Sequence, residues 1–569
     1  GFSKPFVVKN INGINYLFAD KYYTAKISIE NRIGKLFPGL KQWKNYEADK
    51  SNLIKKFEEN TFSKKTNSGI KINSKQADAI LLGQNANLVL TGGPGTGKTT
   101  AICFLLWTLM QNNDSDGMSY CDYELFLAAP SGKAAERMKE SISGSLSAFK
   151  PEFLKKNPEI EEKLTCTDSM TIHRLLSYNP GTNGFYYNSE NQFDKKSIFI
   201  IDEASMIDIH LFKCLLEAIP DEARVFILGD KDQLPSVAAG AVLGEILAQK
   251  KDSVVELTET KRFDINSQVG ELMKELQCDS EFPEDMAKYG KWLAEADEFQ
   301  FSRNDELKTN PVFFYSIKEP DSASEKNVLK KSDQVKVIAD KWSKTFCEDL
   351  TKVSSLPVRS EISVVQLKSL WGLANEAKIL CAEREGIRGV KNINEVISKK
   401  VCEANSIKMD ADGYFAGQLL ILTKNQKMFR LYNGDTGIVV TIGDEGLKYI
   451  MVEKKSMDKN DSENETNEDS TIFRIGDFIF YPINLLPKDS LETAYAITIH
   501  KSQGSGYKNI MIFLPEQEGH PLLNRQIVYT AVTRTEGNTY LVATKTSLNY
   551  AKRTLISRDT MIQLCVETA

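Results

Sequence analysis

Residues Thr91 to Thr100 read T-G-G-P-G-T-G-K-T-T, a glycine loop closed by Lys98 and Thr99. In such a run the backbone N–H groups wrap phosphate oxygens, the lysine reaches the β and γ phosphates, and the hydroxyl holds Mg2+. Gly92, Gly93, Pro94, Gly95, Thr96, Gly97, Lys98, Thr99 and Thr100 are therefore the candidate nucleotide contacts, and Thr99 is also a candidate magnesium ligand. The chemistry needs this loop between a buried strand and a helix N-terminus. Asn87 to Leu90 is a short apolar run fit for the strand, and Ala101, Ile102, Leu105, Leu106 and Leu109 follow at helical spacing.

Other residues extend the same chemistry. Ser197 to Glu203 (S-I-F-I-I-D-E) is an apolar strand ending in two acids. At the carboxyl end of a parallel strand Asp202 can hold Mg2+ through water while Glu203 polarises the attacking water. Leu228 to Leu234 (L-G-D-K-D-Q-L) delivers Gln233 to the same sheet edge, where a neutral amide can sense the γ-phosphate. Arg262 and Arg534 sit where an element ends, and guanidinium forks stabilise charge on a transferring phosphoryl group. Taken singly, either arginine reads more readily as a surface salt bridge than as a phosphate contact. The chain has four histidines; His173 and His500 lack partners at metal-ligand spacing and are assigned hydrogen bonding.

The 569 residues exceed one core, and three or four domains are expected at about 150 residues each. With 41% hydrophobic and 26% charged residues the composition is that of an ordinary soluble protein. No uninterrupted apolar stretch reaches the ~20 residues that span a bilayer, Gly1 to Lys9 resemble no signal peptide, and the expected compartment is the cytoplasm. Nine cysteines without a C-x-x-C pair argue for reduced, mostly buried thiols. The chain opens on Gly1 rather than Met, so the expectation is that its true N-terminus lies upstream. A net charge of −5 excludes a protein that coats nucleic acid with its whole surface, so any nucleic-acid site is a local groove.

Along the chain, residues 1–65 are mixed, without strong period, and are expected to form a short N-terminal accessory region. Residues 66–270 alternate apolar runs (125–129, 197–201, 225–228, 254–257) with helical patterns, which predicts an α/β domain with a mainly parallel sheet. Residues 271–355 read as a polar helical linker or insertion with Trp292 and Trp342. A second α/β domain is split into 356–417 and 489–569, with strands expected at 363–365, 379–380, 496–499, 510–513 and 540–543. Between its parts, 418–488 is β-rich and expected to be a small inserted barrel; Lys454 to Ser470, almost without apolar residues, is expected to be a mobile acidic loop.

In chain order stand G-G-P-G-T-G-K-T, A-A-P-S-G-K-A-A, T-I-H-R-L-L, I-D-E-A-S-M-I-D, G-D-K-D-Q-L, K-R-F, N-G-D-T-G, H-K-S-Q-G-S and Y-T-A-V-T-R. This set resembles the superfamily 1 DNA helicases of the 5′-to-3′ class. A-G-A-V-L-G-E-I at 239–246 and I-L-C-A-E-R-E-G at 379–386 are similar to the RecD family, the alpha subunits of exodeoxyribonuclease V. The resemblance covers roughly residues 70–550 and implies an α/β fold of two RecA-like P-loop NTPase domains with parallel sheets, the barrel lying in the second. It implies an ATP- and Mg2+-dependent DNA helicase with Lys98, Glu203, Gln233, Arg262 and Arg534 catalytic and Asp202 on the metal. Gln76 falls where the family contacts adenine, and Gln503 and Gly504 are carried over as nucleotide contacts. Pro130, Ser131, Lys133, Thr171 and His173 match strand-gripping motifs of the first domain; Asn433, Thr498, His500, Lys501 and Ser502 match those of the second. The implied partners are single-stranded DNA, duplex ends, and RecB-like and RecC-like subunits in double-strand-break repair and recombination, with nuclease activity in a partner. Gly506 departs from the acid usual in relatives, and the region before Gln76 is short. The alternatives are a free-standing RecD-like helicase and, in a different class, an ATP-binding scaffold without motor activity.

Overall fold

The computed structural model describes all residues except 1–4, 12–13, 40–44, 63–68, 237, 250, 261, 304–309, 318–329, 408–412, 444–446, 455–470 and 557–569. The acidic loop expected at 454–470 thus lies, beyond Lys454, outside the described residues. The chain divides into two compact units, one built mainly from Gly1–Lys261 and the other from Arg262–Leu555.

The first unit is organised on a six-stranded sheet in the order Val254–Leu257, Leu88–Gly92, Arg224–Gly229, Ser197–Ile201, Glu124–Ala129, Ser169–Thr171. Every neighbouring pair in it is parallel. The central strands are buried along their whole length, which is why they read as continuous apolar runs rather than as alternation. Successive side chains still go to opposite faces. Leu88, Leu90, Ile198 and Ile200 pack with helices Ser74–Asn85, Lys98–Met110 and Gly132–Leu146, whereas Val89, Phe199 and Ile201 pack with helices Asp20–Leu36 and Ile209–Ala218.

Within residues 1–65, expected as a separate region without strong period, helix Asp20–Leu36 and the side chains of Leu53 and Phe57 are built into the packing on this sheet. Helix Asp20–Leu36 buries Ala25, Ile29, Ile33 and Leu36, a spacing of three and four that the lysines and asparagines between them obscure in the sequence. Asn87 locks the arrangement: its amide donates to Leu36 O at 2.9 Å and Ala223 O at 3.3 Å and accepts from Val225 N at 3.0 Å. Arg224 beside it donates to Gly83 O at 2.6 Å and Ala86 O at 3.0 Å, capping the end of the helix that begins near Gln76.

The second unit holds another parallel sheet, ordered Lys291–Leu293, Val312–Tyr315, Thr535–Val542, Tyr507–Phe513, Ala377–Cys381, Ala496–Thr498. Its first two strands come from the segment expected to be a helical linker; at three and four residues they are too short to show a period among polar neighbours. The strand expected at 363–365 is instead a helix start. Ser363 accepts from Gln366 N at 3.2 Å as the N-cap of helix Val364–Asn375, and Leu367, Leu370 and Ala374 form its buried stripe, which outweighs the β-branched pair Val364-Val365. The sheet built mainly from 418–488 runs antiparallel in the order Phe473–Ile475, Phe478–Pro482, Leu447–Glu453, Thr436–Ile442, Leu419–Leu422, Leu491–Thr493, around Leu420, Val439, Ile450 and Tyr481, and a short strand Ser355–Leu356 pairs in parallel with the end of Thr436–Ile442. Among the described residues its pairings form an open path, without the closure that the expected barrel requires.

None of the eight cysteines among the described residues is in a disulfide; only Cys103, Cys347 and Cys381 are buried, so the thiols are less buried than composition led us to expect. Among the described residues no helix is long and apolar enough to cross a membrane. Replacing Ile29 by alanine is expected to cost the first unit about 2–5 kcal/mol, seen as a lower denaturation midpoint of the full chain. An unchanged midpoint would show that helix Asp20–Leu36 is not part of that core.

Candidate active site

Because the first sheet is parallel, the carboxyl ends of its strands lie along one edge, and the residues expected to act on phosphate come from three adjacent strands there. The glycine loop joins strand Leu88–Gly92 to helix Lys98–Met110. Gly97, the N-cap of that helix, is left-handed at φ 81°, and a β-carbon on it would stand 2.4 Å from Gln76 Nε2. Glycine is needed at 97 for both reasons. Lys98 folds over the loop, its ammonium donating to Gly92 O at 2.5 Å and Gly93 O at 3.1 Å. Thr99 follows on the first helical turn, while Thr100 Oγ1 accepts from Ser145 Oγ at 3.4 Å on a neighbouring helix.

Gln76, expected at the adenine, has both ends of its amide engaged. Its Oε1 accepts from Asn73 N at 3.0 Å in a capping box, and its Nε2 donates to Thr96 O at 3.0 Å within the glycine loop. Here its observed role is to brace the loop from the preceding helix.

Two strands away, Asp202 follows strand Ser197–Ile201; its N donates to Ala128 O at 2.9 Å and its carboxylate accepts from Glu203 N at 2.7 Å. Burial first, and then the neighbouring charge of Glu203, pushes the Asp202 carboxyl above the ordinary range, against the pull of Lys98. Glu203 itself is left-handed at φ 50°, an uncommon state for a residue with a β-carbon and one concentrated at functional sites. Between these strands, strand Arg224–Gly229 delivers Asp230, a buried carboxyl pushed up to about 6 chiefly by desolvation, with Lys98 and a hydrogen bond from Gln233 opposing. Gln233 Nε2 donates to Asp230 Oδ2 at 2.9 Å, while its Oε1 is buried without a partner, as are Thr91 Oγ1 and Ser205 Oγ.

Asp230 was missed in the sequence reading, although it stands directly after a strand within the motif that supplies Gln233. Its signal was the third acid at a strand end beside the glycine loop. Asp202, Glu203 and Asp230 bring three carboxylates to the sheet edge where the ammonium of Lys98 acts on both aspartates, and the buried oxygens Thr91 Oγ1, Ser205 Oγ and Gln233 Oε1 have no partner. Desolvated, under-compensated negative charge of this kind fits a divalent cation and the phosphates that accompany it.

The other expected contacts are distributed by sheet order. Pro130 and Ser131 follow strand Glu124–Ala129, whose Ala129 pairs with Thr171, so both motifs lie at the far end of the same edge. Ser131 and Thr171 each cap a helix, accepting from Ala134 N at 3.3 Å and Arg174 N at 3.2 Å. Lys133 lies in the first turn of the helix that Ser131 caps. The His173 ring lies 5.7 Å from that of Tyr178 and 5.8 Å from that of Phe185, and burial pushes its pKa below the usual value. In the second unit Thr498 Oγ1 accepts from Lys501 N at 3.2 Å, tightening the turn that carries His500. Ser502 is fully buried and its hydroxyl donates to Ile499 O at 2.7 Å, so it serves this turn rather than presenting a surface. Gln503 N donates to His500 O at 3.2 Å, and Gly504 is left-handed at φ 72°. Asn433 is exposed on a turn, its N donating to Asn425 Oδ1 at 2.8 Å.

The two arginines meet within the second unit, which begins at Arg262 rather than beyond 270. Arg262 donates through NH1 to Thr533 O at 3.0 Å, and Arg534 donates to Thr533 Oγ1 at 3.1 Å and through Nε to Thr530 O at 3.0 Å. Arg534 is only 2% exposed, and its guanidinium donates to backbone and hydroxyl oxygens.

Residues 76–239 match the AAA domain family, and residues 493–542 match the UvrD-like helicase C-terminal domain. The RecBCD enzyme subunit RecD of Haemophilus influenzae is 28% identical over 510 residues, covering 83% of this chain and 69% of the relative. The chain is RecD-like. The RecD subunit of Mycobacterium tuberculosis is likewise 28% identical, over 84% of this chain and 70% of its own. The ATP-dependent RecD2 DNA helicase of Deinococcus radiodurans is 26% identical over 79% of this chain but 45% of its own length. Among solved structures, a Bacteroides Pif1 helicase in complex with ADP-AlF3 and single-stranded DNA aligns at TM-score 0.36 and 17% identity, covering 86% of this chain and 95% of that one. The two matched family segments include the glycine loop and Arg534.

Gly97→Ala combines a left-handed φ with a collision against Gln76, and is expected to weaken binding of a fluorescent ATP analogue about 10-fold or more, from a left-handed penalty of about 1–2 kcal/mol. Wild-type affinity in that variant would show that the loop is not the phosphate cradle.

Proposed function

We propose that this chain is an ATP-driven motor that moves 5′ to 3′ along single-stranded DNA and unwinds duplex ends as a subunit of a RecBCD-type complex. The observation that carries this reading is the grouping of Lys98, Asp202, Glu203, Asp230 and Gln233 on one edge of a parallel sheet, in a chain similar to RecD subunits. The RecD relatives support RecB-like and RecC-like partners, a cytoplasmic setting, and a nuclease carried by a partner; the motif set supports the polarity.

In this mechanism the backbone N–H groups of Gly93 to Gly97 and the Lys98 ammonium grip the triphosphate. Thr99 and Asp202 would hold Mg2+, which would supply charge neutralisation at the phosphate oxygens. Glu203 orients the attacking water and accepts its proton, and the fixed backbone at φ 50° keeps that carboxylate in one direction. Gln233, anchored by Asp230, offers its buried Oε1 and amide as a reporter of the γ-phosphate. Arg262 and Arg534 are assigned to the negative charge that develops on the transferring phosphoryl group. Pro130, Ser131, Lys133, Thr171, His173, Asn433, Thr498, His500 and Lys501 are assigned to the strand. Capped helix starts and short turns expose backbone amides to phosphates whatever the base sequence, as a translocating motor requires.

Unwinding of duplexes with a 5′ or a 3′ single-stranded tail tests this reading. The wild-type chain, with its copurifying partners, is expected to need ATP and to favour the 5′ tail. Lys98→Gln is expected to unwind neither while keeping its fold. Full unwinding by Lys98→Gln contradicts the motor, and preference for the 3′ tail contradicts the polarity.

A further inference from the structure

Gln233 is buried, and the two ends of its amide are treated differently. Nε2 donates to Asp230 Oδ2 at 2.9 Å, while Oε1 is buried and has no partner among the described residues. Asp230 is buried as well, and the other oxygen of its carboxylate, Oδ1, accepts from Asp232 N at 3.0 Å. Burial pushes its pKa up to about 6, which still leaves it ionised at neutral pH. An ionised carboxylate only accepts hydrogen bonds, whereas an amide has one donating and one accepting end. The end of Gln233 that meets Asp230 is therefore its NH2, and the end left over is the carbonyl oxygen.

That polarity decides what Gln233 can bind. Phosphate oxygens accept hydrogen bonds at neutral pH, and so does Oε1, so no hydrogen bond forms between them; a buried acceptor without a donor is destabilising. The attacking water is a donor with two protons. As its oxygen bonds to the γ-phosphorus and the bond from phosphorus to the β,γ-bridging oxygen breaks to release ADP, one proton passes to Glu203. The other stays on the water oxygen and can be held by a carbonyl, as glutamines do in other phosphoryl-transfer sites. We propose that Asp230 is the positioning residue that sets the polarity of Gln233: by taking the NH2 it leaves Oε1 for the attacking water, so Gln233 senses the γ-phosphate through that water and not by donating to a phosphate oxygen. This rests on the reading of the sheet edge as an ATPase site.

The test is Asp230→Asn in the full chain, with Lys98→Gln as control. Asparagine keeps an oxygen for Asp232 N and sets an NH2 against Gln233, whose amide then turns over and leaves its own NH2 for the site. DNA-stimulated kcat is expected to fall about 10-fold with little change in KM, the rate equivalent of one lost buried hydrogen bond made in the transition state. Fluorescent ADP is expected to bind as in wild type, but to lose about the same factor in affinity when aluminium fluoride is added. In a Gln233→Ala background Asp230→Asn is expected to add little, because the amide it orients is gone. Asp230→Asn combined with Gln233→Glu, in which an amide again donates to residue 233 and an acceptor oxygen is again left over, is expected to recover part of what Gln233→Glu loses alone. Wild-type or raised kcat in Asp230→Asn overturns the proposal, as does an undiminished further loss in Gln233→Ala or a combined variant no better than Gln233→Glu; a dead Lys98→Gln then leaves the motor standing. ATPase surviving in Lys98→Gln overturns the motor and this proposal with it.

Discussion

The rest of the structure depends on one electrostatic constraint: the ammonium of Lys98, set among carboxylates taken out of water at the edge of a buried parallel sheet. Asp202 and Asp230 are both raised chiefly by desolvation, and Lys98 opposes the shift in each. Like charges held this close in a dry site are tolerable only if the site is completed by further positive charge. The fold meets the first half of that requirement by supplying rigid supports. Asp202 comes from a strand buried along its length, Lys98 from the start of a helix packed on all sides, and the loop between strand and helix is braced by Gln76. The second half is what the Mg2+ that accompanies a triphosphate would bring.

The same economy of support recurs at the positions assigned to DNA. Ser131, Thr171 and Thr498 use their hydroxyls to cap helices or close a turn, each accepting from one backbone amide and fixing the segment around it. Short polar residues at these points suit contacts to a sugar-phosphate chain, whose repeat is independent of base sequence. An overall charge of −5 is compatible with this arrangement because affinity comes from a few local donors.

How much was legible in the sequence follows from where each residue's signal lies. Strands buried on both faces announce themselves as apolar runs, and 197–201 and 224–229 were found for that reason. Chemistry tied to a glycine loop is equally visible, since Gly97 is required by both a dihedral and a contact. What stayed hidden depends on three-dimensional partners. The buried stripe of helix Asp20–Leu36 is diluted by polar residues, strands Lys291–Leu293 and Val312–Tyr315 are too short to show a period, and Val364-Val365 imitates a strand until Ser363 is seen as a cap. Asp230 looks like an ordinary acid in sequence, and its burial is what distinguishes it.

The central claim is that phosphate chemistry at Lys98 governs how the chain holds a single strand. Its most direct measurement is the affinity for a fluorescent single-stranded oligonucleotide, by anisotropy, with a non-hydrolysable ATP analogue and then with ADP at saturation. The account predicts affinities that differ by about 5-fold or more, the usual lower bound for coupling between two sites, and a difference that vanishes in Lys98→Gln. Equal affinities in the two nucleotide states would contradict it.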